Sequence, residues 1–287
     1  MIKYFAKRYI MRYHHIAIKL SSKYSPPYFI GSQLRGAFGH ALKKVTCINP
    51  SYQCTNCFGA KSCLYHSFYE QENIQHKYRF DIELGSLSYD FGLYLYSDAC
   101  DKLPYILSSL HIALSENGLG KDRVVFDNIT IQVNGITIYE DGSFSNTLDD
   151  IKPQKFQPDN YHPNIKLKLL TPLRIKKSNQ LEYNKINIEH ILRSIYQRYK
   201  QIFEDTVVYS LDYKPTYITS VKVFEYKPLY RKSIRQGKRL VMDGVLGEIA
   251  VLGIDQKSYE LLKLGEIIGV GKQTTFGMGK IKIEEVK

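Results

Sequence analysis

The feature that most constrains the fold of this chain is a doubled order of apolar patterns. "YHHIAIKLSS" alternates apolar and polar residues, the period-two mark of a strand with one covered face. "PPYFIGSQLRGAFGHALKKV" then sets Ile30, Leu34, Phe38, Leu42 and Val45 at helical spacing. Strand patterns follow in "KYRFDIEL" and "FGLYLYS", then a helix in "LPYILSSLHIALSENG" ending at a glycine, then strands in "ITIQVNGITIYEDG". The segment 149–164, "DDIKPQKFQPDNYHPN", has three prolines and little apolar periodicity, and reads as a linker. After it the order repeats. "NIKLKLLTPLRIKK" is a strand, "NIEHILRSIYQRYKQIFE" an amphipathic helix, and "YITSVKVFEYKPLYRK" and "LVMDGVLGEIAVLG" are strands. "QKSYELLKLGEIIG" is a short helix and "GMGKIKIEE" a last strand. This order predicts an α+β chain of two tandem ferredoxin-like (RRM-like) domains, 1–150 and 165–287, without a repeat at the level of residue identity.

A length of 287 residues suits about two domains, and 44% hydrophobic residues suffice for two cores. Even the apolar run "GVLGEIAVLGI" carries Glu248, which argues against a membrane span. The first residues, "MIKYFAKRYIMRYHH", are charged throughout, unlike a secretory signal, so a cytoplasmic protein is expected.

The formal charge is +12 and its distribution is uneven. Residues 164–240 hold 17 Lys and Arg against six Asp and Glu. Tyrosines interleave with the cations in "YQRYK" and "YKPLYRK". Cations neutralise phosphates and aromatic rings stack on bases, so this stretch suits a nucleic-acid surface; a solvated basic face is the plainer alternative.

Near the C-terminus, "GVGKQTTFGMGKIKI" sets four glycines around a polar, cationic middle. A P-loop needs G-x-x-x-x-G-K-[ST] before a helix, but Lys280 is followed by Ile281 and a strand pattern. A G-x-G-x-x-G loop fails because position 274 is Thr. What remains is a glycine segment built for close backbone approach, or a plain hairpin connection.

Four of the five cysteines, Cys47, Cys54, Cys57 and Cys63, are spaced C-x6-C-x2-C-x5-C. The x2 pair suits two thiolates on one tetrahedral metal, which predicts a structural zinc knuckle after the first helix; an iron–sulfur cluster or free thiols are the alternatives. A four-thiolate site is closed and would do no hydrolysis. Cys100 stands alone and is expected to be structural.

In order and spacing these pieces resemble the RAMP-superfamily endoribonucleases that process CRISPR precursor RNA, in particular the subgroup with a cysteine cluster after the first helix. The resemblance runs over most of the chain. It rests on "GSQLRGAFGHALKKVTC" with "CTNCFGAKSCLYHSFYE", on "LLTPLRIK", on "YRKSIRQGKRLVMDGVLGEI", and on "LGEIIGVGKQTTFGMGKIKI".

The resemblance implies cleavage without a catalytic metal. A 2′-hydroxyl attacks the adjacent phosphate and leaves a 2′,3′-cyclic phosphate and a 5′-hydroxyl, giving mature guide RNA from CRISPR repeat RNA. It implies as partners that RNA and other CRISPR effector or adaptation proteins. It also implies that Gly269, Gly271, Gly277 and Gly279 pack the loop on the first helix and face the RNA backbone, beside Lys272 and Lys280. Arg35, Arg174, Arg231, Lys232, Arg235, Lys238 and Arg239 lie in the matching motifs as RNA contacts. The chemistry asks for a base, an acid and cations for the phosphorane charge. Of eight histidines, His40 fits first: Lys43 and Lys44 follow at i+3 and i+4, and their charge favours a neutral imidazole. An exposed helical histidine is the plain alternative. His66, beside Tyr65, is second, as a catalytic group or a metal ligand. His14 and His15 begin a strand, His162 is in the linker, His190 is on the basic helix, and His76 and His111 lack supporting neighbours. Two other readings share these features: a non-catalytic RAMP subunit that scaffolds guide RNA, and a zinc-containing nucleic-acid module of another kind.

Overall fold

The computed structural model describes residues 9–145, 148–177, 180–181, 183, 185–233 and 238–286. In the first half, β1 (Arg12–Leu20), α1 (Gly31–Thr46), β2 (Tyr78–Asp81), β3 (Phe91–Tyr96), α2 (Leu103–Ile112) and β4 (Ile129–Val133) make one βαββαβ unit. Its strands lie in the order β2-β3-β1-β4, all antiparallel. The sheet extends through β5 (Ile136–Glu140) and β6 (Ser143–Phe144), and β7 (Gln154–Lys155) pairs with the start of β1. Part of the expected linker is therefore sheet.

The second half repeats the unit. β8 (Ile165–Leu173) is followed by the short pair β9 (Lys176–Lys177) and β10 (Gln180–Leu181), then by α3 (Ile188–Phe203) and β11 (Thr219–Lys227). A hairpin, β12 (Tyr230–Ser233) with β13 (Lys238–Val241), is inserted before β14 (Gly244–Leu252), α4 (Gln256–Ile268) and β15 (Ile281–Glu285). The sheet order β11-β14-β8-β15 is that of the first half, so the two ferredoxin-like domains read from the sequence are present.

Local rules account for most boundaries. In β1 the alternate residues His14, Ile16, Ile18 and Leu20 are buried, and Ile30 just before α1 with Leu34, Phe38 and Leu42 on it share one core with the three apolar ones. Asn187 and Asp255 cap α3 and α4, accepting the N–H groups of His190 and Ser258 at 3.0 and 2.9 Å.

The halves hold separate apolar cores, but Met11 and Tyr96 of the first half sit in the second core. At that junction Arg79 is 1% exposed. Its Nε and one terminal nitrogen donate to the carbonyls of Ile267 and Glu266, at 2.5 and 2.8 Å, at the end of α4. The Tyr96 hydroxyl donates to Ile267 as well, at 2.8 Å, and Arg198 Nε donates to Ile268 at 2.7 Å. The last carbonyls of a helix lack partners within it, and here two buried guanidiniums supply them. Asp81 balances the charge, pairing with Arg79 at 3.2 Å and with Lys280 at 3.1 Å. No helix among the described residues is long and apolar enough to cross a membrane.

Candidate nucleic-acid interface

The glycine segment after α4 meets α1 head-on. A Cβ at Gly31 would stand 1.8 Å from the Phe276 carbonyl oxygen, and one at Gly277, where φ is +82°, would stand 2.6 Å from Cγ1 of Ile82. Both positions demand glycine because the two domains touch there. Gly269, Gly277 and Gly279 are buried and their backbone is turned into the protein. The expected packing of the loop on the first helix involves these buried glycines, and the loop reaches the surface through Gly271, Lys272, Gln273 and Phe276.

Phe276 is the centre of a row of alternating cations and rings. The guanidiniums of Arg35 and Arg231 lie 5.0 and 4.8 Å from its centroid. Arg35 also lies 4.4 Å from the Tyr69 ring, Tyr69 stacks on Tyr65 at 5.2 Å, and Lys43 Nζ sits 5.1 Å from the Tyr65 ring. The row thus runs Arg231, Phe276, Arg35, Tyr69, Tyr65, Lys43, from the inserted hairpin across the loop and along α1. A π-helical turn at His66–Glu70 brings Tyr69 against α1, where its hydroxyl donates to the Arg35 carbonyl at 2.7 Å. Burial pushes that hydroxyl well above the usual phenol range, so Tyr69 stays protonated near neutral pH.

At one end of the row Glu70 accepts the Tyr65 hydroxyl at 3.2 Å, but its arginine centre is short of negative charge. Among the described residues no carboxylate pairs with Arg35 or Arg231, and Arg231 Nε is buried without a hydrogen-bond partner. Burial and then the charge of Arg35 lower the Arg231 pKa. Two like charges on one ring with an unsatisfied donor fit an anion and a stacked base.

The other expected residues fall around this row. His40 is exposed on the outer ridge of α1, one turn beyond Gly36, where nothing lies within 4 Å of an added Cβ. Lys44 is drawn off by Glu116 at 3.0 Å. His66 shares the turn with Tyr69, but its Nδ1 is buried and without a hydrogen-bond partner, and no hydrogen bond ties it to His40 or Lys43. Arg174 braces the loop, donating to the Val241 carbonyl at 3.0 Å and to Gln273 Oε1 at 3.2 Å, and pairing with Asp243 at 3.4 Å. Burial raises the Asp243 pKa, but hydrogen bonds from Tyr183 and Tyr226 and the Arg174 charge outweigh it and hold the carboxyl below the usual range. Arg235 lies outside the described residues. Of Lys232, Lys238 and Arg239 only the backbone, paired in the hairpin, is described.

The four clustered cysteines do not form the expected tetrahedron. All are free and half-buried. Among the described residues, no group of three or more His, Cys, Asp or Glu side chains is gathered to hold a metal. The loop is shaped by its own turns: Cys57 donates to Cys54, Ala60 to Cys57 and Cys63 to Ala60. The donor set suits a soft metal; the arrangement does not.

Tyr65, Tyr69 and Phe276 were not singled out from sequence. Phe276 is far in the chain from the two tyrosines, and the sequence's one hint is the abundance of tyrosine near cations.

Residues 8–154 match the family model AF_1859_N, N-terminal domain, and residues 167–281 match that of CRISPR-associated endoribonuclease Cas6. A protein of Archaeoglobus fulgidus called uncharacterized is 26% identical over 283 residues, covering 91% of this chain and 93% of its own. A solved Cas6 product complex superposes with a TM-score of 0.56 at 13% identity, over 96% of this chain and 100% of that one. Thermus thermophilus Cas6 gives 0.52 at 12% identity, over 97% and 100%.

Proposed function

We infer, from the premise that the chain belongs to the AF_1859_N family and carries over 167–281 a Cas6 endoribonuclease domain, that it cleaves CRISPR repeat RNA to guide RNA. The observation that carries the reading to a site is the pair Arg35 and Arg231, both within about 5 Å of the Phe276 ring, with no described carboxylate to neutralise them.

In this reading a nucleotide stacks at the row of rings and its phosphate lies over the open surface at Gly36. His40 takes the proton from the ribose 2′-hydroxyl. The 2′-oxygen bonds to phosphorus, the bond from phosphorus to the 5′-oxygen breaks, and Lys43 gives that oxygen its proton. The products are a 2′,3′-cyclic phosphate and a 5′-hydroxyl. Arg35 and Arg231 hold the charge that builds on the phosphorane oxygens. Tyr69 fixes Arg35 through its carbonyl and, being protonated, is not the base. No step is assigned to the cysteine loop.

The test is single-turnover cleavage of repeat RNA by the purified chain in chelator, with identification of both new ends. A single general base contributes about 10²–10⁴ in rate, so His40→Ala slows cleavage by that order and leaves binding of a 2′-deoxy substrate nearly intact. Cleavage by His40→Ala at the parent rate removes the role from His40. Tight binding without cleavage by the parent replaces this reading with that of a guide-RNA scaffold.

A further inference from the structure

The glycine loop has a second side. Opposite Phe276, Gly271 and Lys272 close a cavity of about 250 Å³ against α3, with Gln75 of the first domain as one wall. Four cationic side chains line it, Arg174, Lys176, Arg193 and Lys272, and no carboxylate among the described residues does. Among the described residues, Arg193 and Lys176 make no hydrogen bond or ion pair through their side chains. The Gly271 N–H donates to Ser194 Oγ at 3.0 Å and the Lys272 N–H to the Arg174 carbonyl at 2.8 Å, so the loop is fixed to the cavity rim. Tyr209, 83% exposed, stands at its mouth.

Three of these cations, Lys176, Arg193 and Lys272, have no carboxylate partner among the described residues, while Arg174 is paired with Asp243 at 3.4 Å; such a cluster, in a cleft of one sign, concentrates anions. The volume is slightly below the roughly 300 Å³ at which small-molecule sites begin, so it admits one phosphate with part of its sugar and no duplex. We propose that this cavity holds one backbone phosphate of the bound RNA, outside the reacting pair of nucleotides, with the adjoining base against Tyr209. The proposal rests on the RNA-cleavage reading above. A strand crossing the loop passes from Phe276 to Lys272, so one loop sets the spacing between the reacting phosphate and the anchored one.

The experiment measures the salt dependence of binding for a 2′-deoxy-blocked repeat RNA. It compares the parent, Arg193→Gln with Lys176→Gln, and the charge-conserving Arg193→Lys with Lys176→Arg. Each phosphate contact to a single strand contributes about 0.7 to the log–log slope. The Gln pair is expected to lower the slope by about 0.7, and the conservative pair to keep it. In parallel, calorimetry titrates the parent with inorganic phosphate and with uridine 5′-monophosphate. An unchanged slope in the Gln pair, with RNA still bound and cleaved by the parent, overturns the anchor and leaves the cleavage reading standing. Binding of phosphate or the mononucleotide that RNA does not displace assigns the cavity to a free ligand and overturns the anchor too. Failure of the parent to bind RNA overturns both.

Discussion

Replacing Arg79 by Leu tests the junction that sets the interface. The side chain is fully buried and spends its donors on two terminal carbonyls of α4 and on Asp81. Breaking a buried pair from one side costs about 3–5 kcal/mol, because the group left behind is unpaired. Here the residue of damage is smaller. Asp81 keeps Lys280, and the Ile267 carbonyl keeps the Tyr96 hydroxyl. The Glu266 carbonyl loses its described partner, at about 1–3 kcal/mol, so the total sits near the lower bound, about 3 kcal/mol. With a urea dependence of about 1–3 kcal/mol per molar, the midpoint falls by about 1–3 M. The chain has no Trp and 24 Tyr, so tyrosine fluorescence and circular dichroism follow the transition. Acidity gives a second readout. Burial raises the Asp81 pKa, but Arg79 and then Lys280 more than offset it and hold the carboxyl below its ordinary value. Its contribution is full above the unfolded carboxylate pKa, near 4, and is lost as pH falls through the lower folded value. The parent therefore loses stability on acidification below about pH 4 more steeply than Arg79→Leu does. A midpoint shift under about 0.5 M, or identical acid profiles, refutes the assignment of Arg79 as the coupling residue.

Arg231→Gln lowers the salt slope for single-stranded RNA by about 0.7 with an unchanged thermal midpoint; an unchanged slope makes it a solvated cation. Gly277→Ala drives a Cβ toward Ile82 at positive φ and is expected to cost at least the roughly 1–3 kcal/mol of overpacking; a parent-like unfolding curve contradicts the close contact. We propose that the four-cysteine loop closes on one structural metal by local rearrangement. Elemental analysis then finds zinc or iron near one per chain, and metal-free protein with four titratable thiols rules the proposal out.

Period-two and helical patterns carried nearly every element, because each strand and helix has one face in a core of its own domain. β2 shows where that logic stops. "KYRFDIEL" alternates, which places Arg79 on a wet face, yet Tyr78, Arg79 and Phe80 are all buried. The second domain covers the face that a lone sheet would leave in water. The cation–ring row escaped for a related reason. Arg35 with Tyr69 belongs to the first domain and Arg231 with Phe276 to the second; the two halves join only once Arg35 meets Phe276 across the docked domains, and such a contact has no period in the chain. The short strand β7 lay hidden in a proline-rich stretch, since two residues are too few for a pattern.

The arginine cap on α4 also dictates a schedule. Arg79 and its helix-end partner are 188 residues apart, so a ribosome adding roughly 5–20 residues per second makes the partner about 10–40 s later. Through that interval the nascent first domain shows Met11, Tyr96 and an uncapped guanidinium on the back of a finished sheet. A chain that stopped before α4 would keep that face in water, with Arg79 lacking both of its carbonyl partners.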